Sequence, residues 1–416
     1  MKDKQSIIKL ILGTGIGNVV EWYTFLVYAY LSPQISTLFF PHQLKAEAGI
    51  LTFLIFAIGF LARPLGSIIF GYLGDILGRR KTLILSQTLM LITSIFITFL
   101  PTYGTLGISA AFLLAFFRII QGLSIAGEYT TSLCYLAEVS PNHQKGKWVS
   151  TVPASTALGI LVSSLVVFIF SELLGSEEML AWGWRACFFI GVLICATGVY
   201  LRIILPESEV FLKFKEKKLK YSFSKSTLKS MLFVALEVVA YSYFYQFLFI
   251  WLPISIFPKN ADNHSATLLI NAIAMLIFMG STIYGGHLAD KIGHKKTMLL
   301  GSFLIVIFIL PAMYLLQNYK TNINFALFEF VFSLIFGLFV GSASTYFSLV
   351  FKPVQRSSAL SLSYNIPYAI FGGLSPVALS LLNAHYEFLS ITYLNICIFL
   401  LAFILIFFLP KVANNE

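Results

Sequence analysis

Twelve apolar runs, each 19 to 32 residues long, divide the chain and limit what it can fold into. They lie near residues 8–32, 49–73, 82–100, 106–137, 149–171, 184–205, 229–257, 266–289, 298–317, 322–351, 358–382 and 388–409. A helix needs about 20 apolar residues to cross ~30 Å of hydrocarbon, and each run is close to that length or longer. The runs are about twice as long as a barrel strand requires and lack its period-two alternation, so helices are the expected spanning elements. Composition agrees: 58% of the 416 residues are hydrophobic and 11% are charged, where soluble domains hold nearer a quarter charged. The four cysteines fall inside apolar runs, which gives neither a disulfide framework nor a metal-ligand spacing. The first residues, "MKDKQSIIKL", are charged like the start of a signal peptide, but no small-residue cleavage site follows; the first run reads as a retained helix.

Lysine and arginine set the orientation. With both termini cytoplasmic, 22 of the 28 fall in cytoplasmic segments and four (Lys45, Arg185, Lys259, Lys320) outside, while Arg63 and Arg118 lie within spans. The positive-inside rule therefore predicts a multi-pass protein of the plasma membrane, the inner membrane in a bacterium, with cytoplasmic termini. The net charge of +10 becomes a topology signal and a contact for lipid headgroups, and nucleic acid is not an expected partner.

The chain also repeats itself. "FGYLGDILGRRKT" at 70–82 returns as "GGHLADKIGHKKT" at 285–297, with Gly71, Leu73, Asp75, Gly78, Lys81 and Thr82 matched by Gly286, Leu288, Asp290, Gly293, Lys296 and Thr297 at an offset of 215. Each copy follows the second span of a six-span half. The expected fold is an all-α integral membrane protein: twelve transmembrane helices in two pseudo-symmetric six-helix bundles, 1–206 and 228–416, joined by a lysine-rich cytoplasmic linker at 207–227. Two six-helix repeats around a central cleft are the architecture of alternating-access secondary transporters. The clustered catalytic residues of a membrane enzyme and the pore-lining ring of a channel are both missing from the sequence. The expectation is therefore a transporter working as a monomer, with no metal site and no cofactor, driven by a proton gradient.

The double loop motif resembles the signature between spans 2 and 3, and again 8 and 9, of the major facilitator superfamily. "FRIIQG" at 117–122 is similar to that superfamily's fourth-helix motif. The segments "GNVVEWYTFLVYAY", "RPLGSIIFGYLGDILGRRKT", "RIIQGLSIAGEYTTSLCYLAE", "WGWRACFFIG", "LPESEVF" and "SYNIPYAIFGGLSP" are together similar to the metabolite:proton symporters, which include proline/betaine, 2-oxoglutarate, citrate and shikimate carriers. The resemblance implies that Gly71, Asp75, Gly78, Arg79, Arg80 and Asp290 latch the two halves on the cytoplasmic side, with Glu138 at the inner end of span 4 as a partner. The residue types suit that task, since the glycines allow close helix approach and Asp75, four residues before Arg79, can pair with it or with a helix amino terminus. His294 stands where the first copy has Arg79, which makes the second latch chemically weaker.

Two charges lie deep within spans. Glu21 is about 13 residues, or ~20 Å, from the inner end of span 1, and Arg118 about 12 residues, or ~18 Å, from the outer end of span 4. A lipid-facing charge at that depth costs roughly 2.5 to 3.5 kcal/mol, so both are expected to face the central cleft and to pair with each other or with a charged ligand. Gln121 and Glu128 share the face of Arg118 by helical spacing. The expected mechanism has Glu21 or Glu128 exchanging a proton while Arg118 holds the carboxylate of the substrate; the alternative is a permanent Glu21 and Arg118 pair that braces the bundle. Glu237 in span 7 is a second proton-site candidate, and Arg63 is read as a packing residue near the latch. Trp22 and Tyr28 of span 1, with tyrosines of spans 7 and 11, offer rings that can hold a quaternary ammonium, and Tyr364 and Asn365, matching the family's span 11 motif, are expected substrate contacts. The function expected is proton-coupled uptake of a small carboxylate-bearing solute, either a zwitterion such as proline or betaine or another amino acid, or an organic acid; proton-independent exchange and a non-transporting sensor are the alternatives. Two features depart from the family: Thr24 stands where it usually places an acid, and the chain stops at Glu416 where osmosensing carriers continue into a helical tail.

Overall fold

The computed structural model describes residues 4–41, 48–216, 223–255, 261–386 and 388–412. The middle of the linker and the outer cations Lys45 and Lys259 lie outside that set. Among the described residues there is no strand. Among the described residues eleven helical stretches are long and apolar enough to cross a membrane, and one of them, Asn142–Ile203, holds two spans. It turns at Gly175, whose φ of 69° and ψ of −179° break the helix. The twelve expected spans are thus present.

We number them α1 (Lys4–Tyr30), α2 (Ala48–Leu61 and Arg63–Ile76), α3 (Arg79–Thr98), α4 (Ser109–Val139), α5 (Thr151–Glu178), α6 (Trp184–Ile203), α7 (Lys225–Gln246, extended through Phe247–Trp251), α8 (Ala261–Ile292), α9 (His294–Asn318), α10 (Asn322–Leu349), α11 (Arg356–Pro367, Tyr368–Gly372 and Ser375–His385) and α12 (Phe388–Phe408). The broken spans break at prolines, which lack an N–H and clash with the carbonyl four residues back. Pro253 follows the wide turn at Phe247–Trp251 in α7, and the Phe249 carbonyl, released from the ladder, accepts the Asn271 side chain of α8 at 3.1 Å.

The 215-residue repeat is visible in the packing. Within the amino half α1 packs on α5 and α6, and α3 on α4 and α6; within the carboxyl half α8 packs on α10, and α9 on α10 and α12. Across the halves α2 lies along α11, and its repeat counterpart α8 lies along α5. The bundles therefore meet along two pseudo-symmetric helix pairs, with α1, α4 and α7 beside the seam.

Candidate functional site

Both copies of the loop motif close one end of that seam. Asp75 accepts the backbone N–H groups of Ser357 and Ser358, at 3.0 and 2.9 Å, at the amino end of α11. Asp290 does the same to Gly146 and Lys147, at 2.7 and 2.8 Å, in the short helix Lys145–Val149 that leads into α5. Each carboxylate thus caps a helix of the opposite bundle, where free N–H groups and the helix dipole favour an anion. Close approach makes this possible: a Cβ on Gly71 would lie 3.0 Å from the Ser358 Cα, and one on Gly286 would strike the Gly146 carbonyl. Gly78 serves differently, turning the chain at φ 108°.

Around the first latch the charges form a network. Arg79, fully buried, lies 3.3 Å from Asp75 and 3.0 Å from Glu138, and donates to the Pro353 carbonyl of the carboxyl bundle at 2.6 Å. Glu138 also meets Arg356 at 3.2 Å, so one carboxylate joins a cation from each bundle. Its other oxygen accepts the Ser208 hydroxyl at 2.5 Å. Glu207 accepts the backbone N–H groups of Arg79 and Arg80, and Phe211 packs 5.2 Å beneath the Arg79 guanidinium. The start of the linker is therefore built into the gate. Arg80, expected in the latch, instead donates to the Ile203 carbonyl within its own bundle. At the second latch His294 has an unpartnered Nδ1, and no ion pair forms there among the described residues.

Deeper in the membrane the expected Glu21 and Arg118 pair does not form. Arg118 donates to Gln121 at 3.0 Å, and its guanidinium sits 4.0 Å from the ring centre of Phe25 and 4.4 Å from that of Tyr28. Equal depth fixed neither azimuth nor partner: Phe25 and Tyr28 lie one and two turns beyond Glu21 on α1, and cation–π attraction holds the guanidinium there. Tyr28, expected to line the cleft, donates to the Thr52 carbonyl at 3.0 Å and packs inside the amino bundle. Glu128 is taken up by Arg202, which binds both of its oxygens. Charge counting placed Arg202 in a cytoplasmic segment, yet it is fully buried. The sixth apolar run, 184–205, already enclosed it and was the signal that it belongs to the span.

Glu21 keeps neither partner. The residue is 2% exposed, and both carboxylate oxygens lack a hydrogen bond. It lines two narrow gaps, one closed to water and shared with Trp22, Phe25, Phe60, Arg63 and Ile125, the other of about 10 Å³ and shared with Gly17, Ser86, Gln87, Ser124 and Glu128. A larger cavity of 350 Å³ beside Gln34 and Gly175 has no charged lining residue. Arg63, read from sequence as a packing residue, stands at the seam itself: its Nε and Nη2 donate to Asn365 Oδ1 of α11 at 3.2 and 3.1 Å, and its guanidinium lies 4.6 Å from the Tyr368 ring centre. Asn365 also donates to the Ala126 carbonyl of α4 at 3.2 Å.

Aromatic rings complete the seam. Tyr129 of α4 stacks on Tyr364 at 4.7 Å, and its hydroxyl lies 3.2 Å from that of Tyr241 of α7. Tyr364 stacks on Tyr368 at 5.4 Å, and Trp22 meets Tyr245 and Tyr368 at 6.1 and 6.4 Å. Glu237 is fully buried with neither oxygen bonded, and so is Glu329 of α10, a lone acid in an apolar run that sequence reading passed over.

Two helical bundles joined by a linker, with a polar seam between them and paired gates at one end, define a membrane transporter. The chain belongs to the major facilitator superfamily: residues 19–362 and 260–416 match the profile of the Major Facilitator Superfamily. It is 31% identical over 383 residues to a putative proline/betaine transporter of Staphylococcus haemolyticus strain JCSC1435, covering 91% of this chain and 82% of the relative. It is 30% identical over 391 residues to the proline/betaine transporter of Escherichia coli K12, covering 90% and 77%. Among solved structures it superposes on the proton:xylose symporter XylE bound to 6-bromo-6-deoxy-D-glucose with a TM-score of 0.86 at 18% identity, over 98% of this chain and 97% of the other. The inward open conformation of that transporter gives 0.68 at 17% identity, over 98% and 97%.

Proposed function

We propose that this transporter takes up a small zwitterion with a carboxylate and a cationic nitrogen, of the proline or betaine kind, in symport with protons. It does so by alternating access across the bacterial inner membrane, with both termini cytoplasmic. The observation that carries the reading is the narrow gap on the amino-bundle side of the seam, lined by the unpartnered Glu21 together with Arg63 and Trp22. Arg63 takes the role first given to Arg118. It reaches across the seam to a neutral amide, which a substrate carboxylate displaces by offering a charge-assisted, two-pronged bond. Trp22, Tyr245 and Tyr368 supply π faces for the cationic end. Glu21 is the proton carrier, because a carboxylate with no protein partner is the group free to change its protonation as substrate and water come and go. The names of the proline/betaine relatives support the substrate class, and the twin gates support alternating access.

The test is a thermal-shift screen of amino acids, betaines and di- and tricarboxylates on the purified protein, followed by uptake of each hit into proteoliposomes with and without an inward proton gradient. Proline or betaine is expected to raise the melting temperature, since a ligand that binds only the folded state stabilises it, and uptake is expected to follow the gradient. Stabilisation by polyanions alone, or uptake that needs internal solute and ignores the gradient, would defeat the reading.

A further inference from the structure

The second cavity beside Glu21 lies on its gate side, one helical turn back along α1 at Gly17. Two groups on its wall have no partner, the Glu21 carboxylate and Gln87 Nε2, and both residues are 2% exposed. The open space there is about 10 Å³, roughly what one water needs when it also has two to four polar partners, so the gap suits a single water. On the opposite wall Glu128 is locked. Arg202 binds both of its oxygens and spends its other donors on the carbonyls of Gly13 and Leu83 and on Gln87 Oε1, while Ser86 donates to Glu128 at 3.1 Å. Gly17 is what lets this pair lie against α1, because any side chain there would collide with the Arg202 guanidinium and the Glu128 carboxylate.

We propose that this inner cavity is the proton's compartment, and that the Glu128 and Arg202 pair is a positioning device that sets how tightly Glu21 holds the proton. The inference rests on the proton-coupled reading above. The Glu21 carboxyl releases its proton to a cavity water and remains as a carboxylate, and the proton leaves as hydronium. The charged and titratable groups around Glu21 are Arg63 of α2, Glu128 and Tyr129 of α4, Arg202 of α6 and Tyr368 of α11, while α3 contributes the uncharged Ser86, Gln87 and Met90. In the intact protein the paired Glu128 and Arg202 set one charge of each sign behind this wall.

Glu128→Gln removes one of them and leaves the Arg202 charge facing Glu21. The pH profile of initial uptake into proteoliposomes is then expected to move to more acidic pH by about one unit, a roughly tenfold higher proton concentration, because an unmatched cation disfavours protonation of a nearby acid. Glu128→Asp, which restores the charge, and the double variant Glu128→Gln with Arg202→Gln, which removes both, are expected to bring the profile back. A folded Glu128→Gln protein with the wild-type profile would overturn the proposal. Should that variant not fold, Ser124→Thr adds one methyl group that fills the gap and leaves the pair intact: proton-driven uptake is expected to fall about tenfold with substrate affinity by thermal shift unchanged, and undiminished uptake would overturn it. Wild-type uptake that ignores pH sinks the coupling reading and this inference together. Proton-driven wild-type uptake with an unmoved variant profile sinks only this one.

Discussion

The two bundles share a fold by repetition but divide the chemistry unequally. Within its spans the amino bundle holds three buried arginines, Arg63, Arg118 and Arg202, with Glu21 and Glu128 among them. The carboxyl bundle holds Glu237 and Glu329, each without a partner, behind a wall of tyrosine and phenylalanine. The latches repeat the inequality. Asp75 and Asp290 cap opposite helices in the same way, yet only the first copy is braced by Arg79, Glu138 and Arg356. An inverted or duplicated scaffold fixes where helices lie; the side chains then make one half the charged half and the other the aromatic one.

That contrast can be attacked at its strongest point first. Arg63→Gln is expected to lower uptake by about 10- to 100-fold with the protein still folded, since a hydrogen bond to a charged group is worth roughly 1.5 to 3 kcal/mol. Arg118→Gln, in the same bundle but away from the seam, is expected to act on melting temperature instead. Equal loss of uptake from both, measured in proteoliposomes, would return Arg118 to the substrate site.

Glu138→Gln strips one buried carboxylate from two arginines, and breaking a buried pair costs about 3 to 5 kcal/mol. The gate is expected to open. A cysteine placed at the buried Ser361, with the four native cysteines replaced, then becomes reactive to a water-soluble maleimide. Persistent protection would show that helix capping alone keeps the seam shut.

Asp75→Asn and Asp290→Asn compare the latches directly. Both keep a carbonyl oxygen for the backbone N–H groups, so the first should weaken the closed state more, by about 1 to 3 kcal/mol against about 1 for the second. Equal opening in the same maleimide assay would remove the asymmetry.

The smallest effect, and of opposite sign, is expected at Glu329. Glu329→Leu replaces an unpartnered buried carboxyl with an apolar group and should raise stability by about 1 to 3 kcal/mol without loss of uptake. Lost uptake in a stable protein would give the carboxyl bundle a charge-handling role after all.

Most of the fold was legible in the sequence. Twelve apolar runs and a motif repeated at 215 residues specified two six-helix halves, because hydrocarbon leaves the backbone no alternative to the helix and a repeated motif marks equivalent positions. The meeting of Glu138 with Arg79 was implied by the family resemblance, and it suits two residues that both stand at span ends. Depth found Glu21. What depth cannot supply is azimuth, the side of a helix that faces a given neighbour, and there the expectations failed. Glu21 and Arg118 share a level but not a direction, Arg63 looked like packing until α11 was laid beside it, and Arg202 passed for a loop cation until α6 carried it under α1. A linear pattern sets how far along its axis a side chain sits, through a rise fixed by backbone hydrogen bonds. Which charges meet is set by how helices rotate and cross, and that depends on the packing of every neighbour at once.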